Sequence, residues 1–340
     1  MLGYDSLTSP PPQHRLGVPS ADGTVLNVEI YGPEAGPTVV LVHGWTCSIV
    51  FWNRQINALL AAGLRVVAYD QRGHGASAVP GWAGPTIEAL ADDLAAVLDA
   101  TLEPGQRAVL AGHSMGAMTL VAFGARHPEQ LRHRVAAVVL SSTGMHELVP
   151  RSMIVPMPLP LAKLARPIAT WLMGLSPLGG GSINPVLRAV IRYTALSRSA
   201  SEIEVDFCAW IVDSCHPRTR ADFGRMISDL NLDRKVAELD VPTIVVAGTR
   251  DRLTPIWHAR RLAAKLPQLV DLVEVPGAGH MTPVQSAAQV NAALHRLIAD
   301  YLDVPALERV RPAPSSGSIG VIGLINRHEI SPHESSQEIA

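Results

Sequence analysis

Between the apolar, β-branched run Arg107 to Ala111 and the Pro-free run of helix formers Ala117 to Arg126 stands Gly112-His113-Ser114-Met115-Gly116. No other stretch narrows the fold of this chain so much. A strand that turns directly into a helix leaves no room for side chains at the ends of the turn, which calls for glycine at Gly112 and Gly116. The bend lifts the hydroxyl of Ser114 clear of the sheet, the arrangement called a nucleophile elbow. The pentapeptide alone is common; the strand before it and the helix after it make it specific.

Strand and helix patterns alternate on both sides of the elbow. Thr38 to Val42 predicts a buried strand, Phe51 to Ala62 a helix, and Arg65 to Tyr69 the next strand. A helix over Thr86 to Ala100 follows, opened by Thr86 as cap, and the strand Val135 to Leu140 comes after the elbow. Pro242 to Ala247 predicts a strand, Ile256 to Lys265 a helix, Val270 to Val275 a strand and Val284 to Leu302 a closing helix. Asp22-Gly23-Thr24 before Val25 to Tyr31 reads as an antiparallel hairpin leading in. Such alternation implies an α/β fold, a doubly wound and mostly parallel sheet covered on both faces.

The alternation fails between Met145 and Glu238, where helical patterns (Pro185 to Leu196, Glu202 to Ser214, Thr219 to Asp229), many prolines and Gly179-Gly180-Gly181 occur without a strand. The expected organisation is an α/β core over residues 20–144, a helical lid over 145–238, the rest of the core over 239–303 and a flexible tail over 304–340. The glycine run has neither a preceding strand nor a following lysine, so it reads as a hinge rather than a phosphate loop.

Composition removes several classes of function. The 340 residues are 47% apolar and 17% charged with a net charge of −2, which gives no field for nucleic acid. Three cysteines without metal-ligand spacing predict no metal site; no cofactor is expected either. Cys208 and Cys215, about 10 Å apart along one helix, are too distant for a bridge. All three are expected reduced, which suits the cytoplasm. Met1 to Pro19 lacks the pattern of a secretory signal. The lipophilic stretch Met153 to Leu178 is broken by Pro156, Pro158, Pro160, Lys163, Arg166 and Pro167, so no integral membrane span is expected. Oligomeric state is not legible.

A serine hydroxyl needs a base, and the base needs an orienting carboxylate. Asp251 follows one late predicted strand and His280 follows the next, in Gly277-Ala278-Gly279-His280. With Ser114 they stand in the order Ser, Asp, His, and all three fall at the carboxyl edge of a parallel sheet. The region after Val135 to Leu140, Ser141-Ser142-Thr143-Gly144, offers no rival acid. Asp251 has a competing role as a helix cap. His43, His74 and His113 read as loop braces, and Asp92 and Asp93 as a solvated helix face.

Over residues 20 to 303 the chain resembles the α/β-hydrolases. His43-Gly44-Trp45 is similar to the family's oxyanion loop, and Asp70-Gln71-Arg72-Gly73-His74-Gly75-Ala76-Ser77 to its D-x-R-G-x-G-x-S loop. The two signatures look most like the branch holding carboxylesterases, perhydrolases and lactonases. The resemblance implies an oxyanion hole formed by the backbone N–H groups of Trp45 and Met115. An elbow serine, where related epoxide hydrolases and dehalogenases carry aspartate, implies acyl transfer. The expected reaction is hydrolysis of a lipophilic small-molecule carboxylic ester through an acyl-serine, as in carboxylesterases and lipases. Perhydrolysis, lactone, thioester or C–C bond hydrolysis use the same triad, and a non-catalytic binding protein is the remaining alternative. Met153, Met157, Trp171, Met173, Phe207, Trp210 and Met226 make the lid apolar. Of these Trp171, Met173, Phe207 and Trp210 are candidate substrate contacts, although such residues also form a lid's own core. Arg188, Arg192 and Arg198 leave a thioesterase reading open.

Overall fold

The computed structural model describes residues 6–79, 84–148, 152 and 185–302. Eight strands form one sheet in the order β1-β2-β4-β3-β5-β6-β7-β8. They are β1 (His14–Pro19), β2 (Val25–Tyr31), β3 (Thr38–Val42), β4 (Arg65–Tyr69), β5 (Ala108–His113), β6 (Val135–Ser141), β7 (Thr243–Gly248) and β8 (Leu269–Val275). Only β2 runs antiparallel to its neighbours, β1 and β4, and β4-β3-β5-β6-β7-β8 are parallel throughout. Every residue of β3 to β7 is buried. Their unbroken Val, Ile, Leu and Ala runs suit strands covered on both faces.

The helices of the core are α1 (Asn53–Ala61), α2 (Ile87–Thr101), α3 (Met115–Arg126), α4 (Pro128–Arg134), α8 (Ile256–Ala263), α9 (Thr282–Gln285) and α10 (Ala287–Tyr301). Alternate strand residues, among them Val40, Val67, Leu110, Val138 and Val245, share one apolar cluster with α2, α3 and α8. On the other face α10 packs on β5, β6, β7 and α1. Between β6 and β7 lie α5 (Pro185–Thr194), α6 (Glu202–Ser214) and α7 (Pro217–Asp229). A capping box of Ser201 and Glu204 opens α6. No described helix is long and apolar enough to cross a membrane.

Several local readings change. The first predicted helix begins as a 3₁₀ turn, Ile49–Trp52. The closing helix divides at Ser286 into α9 and α10, and α4 was not foreseen. Asp93 is not on a solvated face: it is fully buried and receives Arg72 Nε and Nη2, both at 2.6 Å. Asp92 does lie near the surface, held by Arg126 and His127. Cys47, Cys208 and Cys215 are unbridged and buried, Cys208 inside α6 and Cys215 at its end. Gly179-Gly180-Gly181 and the tail lie outside the described residues.

Candidate active site

Register brings the carboxyl ends of β3, β5 and β6 together: Val42 pairs with Gly112 and Gly112 with Leu140. The chain leaves β5 at His113 and enters α3 at Met115, with Ser114 alone in the turn at φ 51° and ψ −114°. This positive φ is strained for a residue with a Cβ. The surroundings enforce it. Ser114 N–H donates to Ser141 O at 2.9 Å, and the Ser114 carbonyl accepts from Ala117 N, Met118 N and Thr143 Oγ1. A Cβ on Gly116 would lie 2.1 Å from Val42 O, and one on Gly112 would lie 2.6 Å from Ala117 N. Both elbow glycines are therefore required by close approach.

The candidate acid and base, Asp251 and His280, follow the ends of β7 and β8. His280 Nδ1 is 2.8 Å from Asp251 Oδ2, and both residues are buried. Since the carboxylate accepts, Nδ1 carries the proton and Nε2 keeps a lone pair. Asp251 Oδ1 accepts from Leu253 N at 2.8 Å and Thr254 N at 2.9 Å, while Thr254 Oγ1 donates to Oδ2 at 2.8 Å. Asp251 does not cap the following helix: one oxygen closes its own turn and the other faces the imidazole. The helix α8 starts later, after Pro255. Thr254 is an orienting residue that the sequence reading missed, although an Asp with a hydroxyl three residues on is a local turn pattern.

Three other buried histidines brace the loops around Ser114. His43 Nδ1–H donates to Gly44 O at 2.7 Å and Nε2 accepts from Gln71 N at 2.9 Å. His74 Nε2 accepts from Thr46 N at 3.2 Å, across to the Trp45 loop. His113 Nε2–H donates to the backbone carbonyl of His280 at 3.0 Å. Burial pushes His43 down to about 4, and burial with the neighbouring His43 pushes His74 down to about 3. Burial also holds His113 well below the usual imidazole range. These rings stay neutral near pH 7 and act as fixed hydrogen-bond partners.

Gly44 brings the Trp45 loop against Ser114, since a Cβ there would sit 3.2 Å from Ser114 Cβ. The Trp45 ring lies against Gly224 of α7. Met115 is the first residue of α3, so its N–H has no carbonyl one turn earlier to meet. The D-x-R-G loop stands behind them. Asp70 Oδ1 accepts from Ile49 N, Oδ2 from Asn27 Nδ2 and Ala76 N, and Arg72 links Asp93 to Asp22.

Of the candidate substrate contacts, Phe207 is half-buried in α6 with its ring 6.2 Å from that of Trp210, which is 47% exposed. Trp171 and Met173 lie outside the described residues, as do Met153 and Met157. Arg188 pairs with Glu202 and Asp206, and Arg192 pairs with Glu202. Among the described residues, no group of histidines, cysteines and carboxylates forms a metal site.

A family model described as serine aminopeptidase, S33, matches residues 33–285. RutD of Variovorax paradoxus, named as a carbamate hydrolase, is 31% identical over 279 residues, covering 81% of this chain and 96% of that protein. The bifunctional esterase/perhydrolase DCH of Acinetobacter calcoaceticus is 27% identical over 276 residues, covering 81% of this chain and 96% of its own length. Among solved structures, a thermophilic esterase from Thermogutta terrifontis is similar at TM-score 0.67 and 25% identity, covering 84% of this chain and 98% of that one. The enol-lactonase from Burkholderia xenovorans LB400 is similar at TM-score 0.65 and 25% identity, covering 84% of this chain and all of its own.

Proposed function

This chain belongs to the α/β-hydrolase serine hydrolases, in the family described as serine aminopeptidase, S33, and on that premise we propose that it hydrolyses carboxylic esters of lipophilic small molecules through an acyl-serine. One observation carries the proposal: a buried Asp251–His280 pair at 2.8 Å shares the sheet's carboxyl edge with a strained elbow serine. His280 Nε2 takes the proton of Ser114 as Oγ attacks the ester carbonyl. The carbonyl oxygen gains the negative charge and is met by the N–H groups of Trp45 and Met115. Collapse expels the alcohol, which receives the proton from His280. Water, deprotonated by the same nitrogen, then releases the acid and restores Ser114.

Relatives named as esterases support the ester reading, and the DCH and lactonase names make peracid and lactone chemistry the natural second assay. Two of the three arginines that left a thioesterase reading open, Arg188 and Arg192, are paired with Glu202 and Asp206, which counts against a large anionic thioester, while Arg198 is exposed. The lid and the cytoplasmic setting belong to this proposal, with α5 to α7 roofing the acyl pocket and Phe207 and Trp210 near its rim. The test is a series of p-nitrophenyl esters from acetyl to long acyl, with lactones and thioesters alongside. Each methylene buried is expected to raise kcat/KM by up to about fourfold until the pocket is full. Trp210→Ser is expected to flatten that profile. A profile with no preference beyond acetyl, in an enzyme active on lactones or thioesters, would overturn the substrate class.

A further inference from the structure

The insertion between β6 and β7 does more than lie over the sheet edge. Its connector from α5 to α6 meets the loop that carries the base. Ala195 O accepts from His280 N at 2.8 Å and from Met281 N at 3.2 Å. On the opposite side of that peptide, the His280 carbonyl accepts from His113 Nε2 at 3.0 Å and Thr282 N at 2.9 Å. The backbone of the base is thus gripped by the insertion at its N–H and by the elbow strand at its C=O.

A single side chain locks this grip. Gln285 Oε1 accepts from Ser197 N at 3.2 Å and from Gly279 N at 3.3 Å, and its Nε2 donates to Ser197 Oγ at 3.0 Å. The amide group therefore joins the connector to the residue just before the base. Nothing larger than glycine fits between them. A Cβ on Gly279 would lie 2.8 Å from Leu196 C and 2.9 Å from both Ala195 O and Ser197 N. Ala195, Leu196 and Ser197 are all buried, although their neighbours Arg198 and Ser199 are exposed.

The acid loop is tied to the same segment. Arg252, next to Asp251, donates to Tyr193 O and lies 4.2 Å above the Tyr193 ring. Glu204, in the first turn of α6, pairs with Arg54 at 2.7 Å, and Arg54 donates to Val284 O two residues beyond Thr282. These contacts, part-buried at Gln285 and Glu204 and exposed at Arg252, are not needed to close a surface helix pair. They do restrict where the His280 ring can stand relative to Ser114.

We propose that the connector Ala195–Ser197 positions the triad base and that Gln285 is the positioning residue that fixes it. The proposal rests on Ser114, Asp251 and His280 acting as the triad. The insertion is then part of the catalytic frame, and displacing it moves the base as well as the roof.

The test compares Gln285→Ala, Gln285→Glu and Gly279→Ala with the unaltered enzyme and Ser114→Ala. It measures ester kcat and KM, the rate at which a fluorophosphonate captures Ser114, and Tm. Gln285→Ala is expected to lower kcat and the capture rate in step, by about five- to fiftyfold, with KM within about twofold, because Gln285 acts through the base and not on substrate. Gln285→Glu keeps an acceptor for both N–H groups and is expected to return kcat to within about threefold of the unaltered enzyme. Gly279→Ala, which forces the connector away, is expected to cost on the order of a hundredfold or more. Gln285→Leu carries the same expectation as the alanine variant should that one not fold. Unchanged kcat and capture rate in Gln285→Ala with only a lower Tm would overturn the proposal, as would equal losses in the Ala and Glu variants. Turnover persisting in Ser114→Ala would overturn the triad itself, an outcome separate from the first two.

Discussion

Replacing Asp251 by asparagine changes one atom and, from the geometry, disables the base. Asp251 Oδ1 receives two backbone donors, Leu253 N at 2.8 Å and Thr254 N at 2.9 Å. An amide NH₂ cannot occupy that position, since it would face two N–H groups with no acceptor. The asparagine oxygen must stay there, so the NH₂ takes the place of Oδ2, 2.8 Å from His280 Nδ1. It then donates to Nδ1, which holds the imidazole in the tautomer with its proton on Nε2. That nitrogen can no longer accept a proton from Ser114. The turn keeps both its hydrogen bonds, so the fold is expected to survive. The loss expected is on the order of 10⁴ in kcat, about 5 kcal/mol of transition-state stabilisation. Steady-state hydrolysis of p-nitrophenyl butyrate, with Tm and circular dichroism as controls for folding, measures it. A folded Asp251→Asn enzyme that keeps more than about 1% of kcat would refute this reasoning, because the orienting acid would have to lie elsewhere.

Ser114→Ala and Ser114→Gly are both expected to lose turnover. Only the glycine variant relaxes the strained φ, so it should melt above the alanine variant by the equivalent of about 1–3 kcal/mol; equal melting temperatures would contradict the strain. Asp93→Ala leaves the Arg72 guanidinium buried without its main partner and is expected to cost about 3–5 kcal/mol in urea unfolding. Asp22→Ala, which removes the half-exposed partner of Arg72, is expected to cost about 1 kcal/mol or less; a reversed order would show that the buried pair is not the strong contact. Acid should weaken the fold at a pH above the range in which ordinary exposed carboxylates protonate. His43, His74 and His113 have folded values below that of the unfolded chain, so the unfolded state binds more protons and stability falls as pH drops below about 6.5. The slope is up to about 1.4 kcal/mol per pH unit for each ring. Asp22 and Asp233, held low by Arg72 and by Arg261 with Lys265, add their loss below about pH 4. A Tm that stays level from pH 7 to 4.5 would contradict the buried neutral histidines.

Most of the sheet was legible because its strands are buried on both faces and read as unbroken apolar runs. Thr38 to Val42, Arg65 to Tyr69 and Val135 to Leu140 could be bounded within a residue or two. Ser114, Asp251 and His280, the proposed triad, were legible as candidates for a different reason: each sits in a short local pattern next to such a run. What the sequence hid depends on residues far apart in the chain. Asp93 looked like its solvated neighbour Asp92 until the loop bearing Arg72 folded onto α2. Gln285 resembled any polar helix residue, since its partners Ser197 and Gly279 are set by packing rather than spacing. The break at Ser286 carries neither Gly nor Pro, so helical periodicity runs across it unmarked. The α4 helix did carry signals, Pro128 at its start and Arg132, His133 and Arg134 at its end.

The order of strands also bears on when activity can first arise during synthesis of the chain. Ser114 is fixed by β3, β5 and β6, all in the first half of the sequence, while Asp251 and His280 arrive with β7 and β8. Docking of β7 on β6 must close the whole span from Ser141 to Thr243, a long-range step that local contacts do not prepay. Until that closure, on the proposed triad, a nascent chain has its serine with neither base nor acid and is expected to be inert. Hydrolysis therefore reports on the last seam of the sheet: a chain that turns over substrate has joined its two halves.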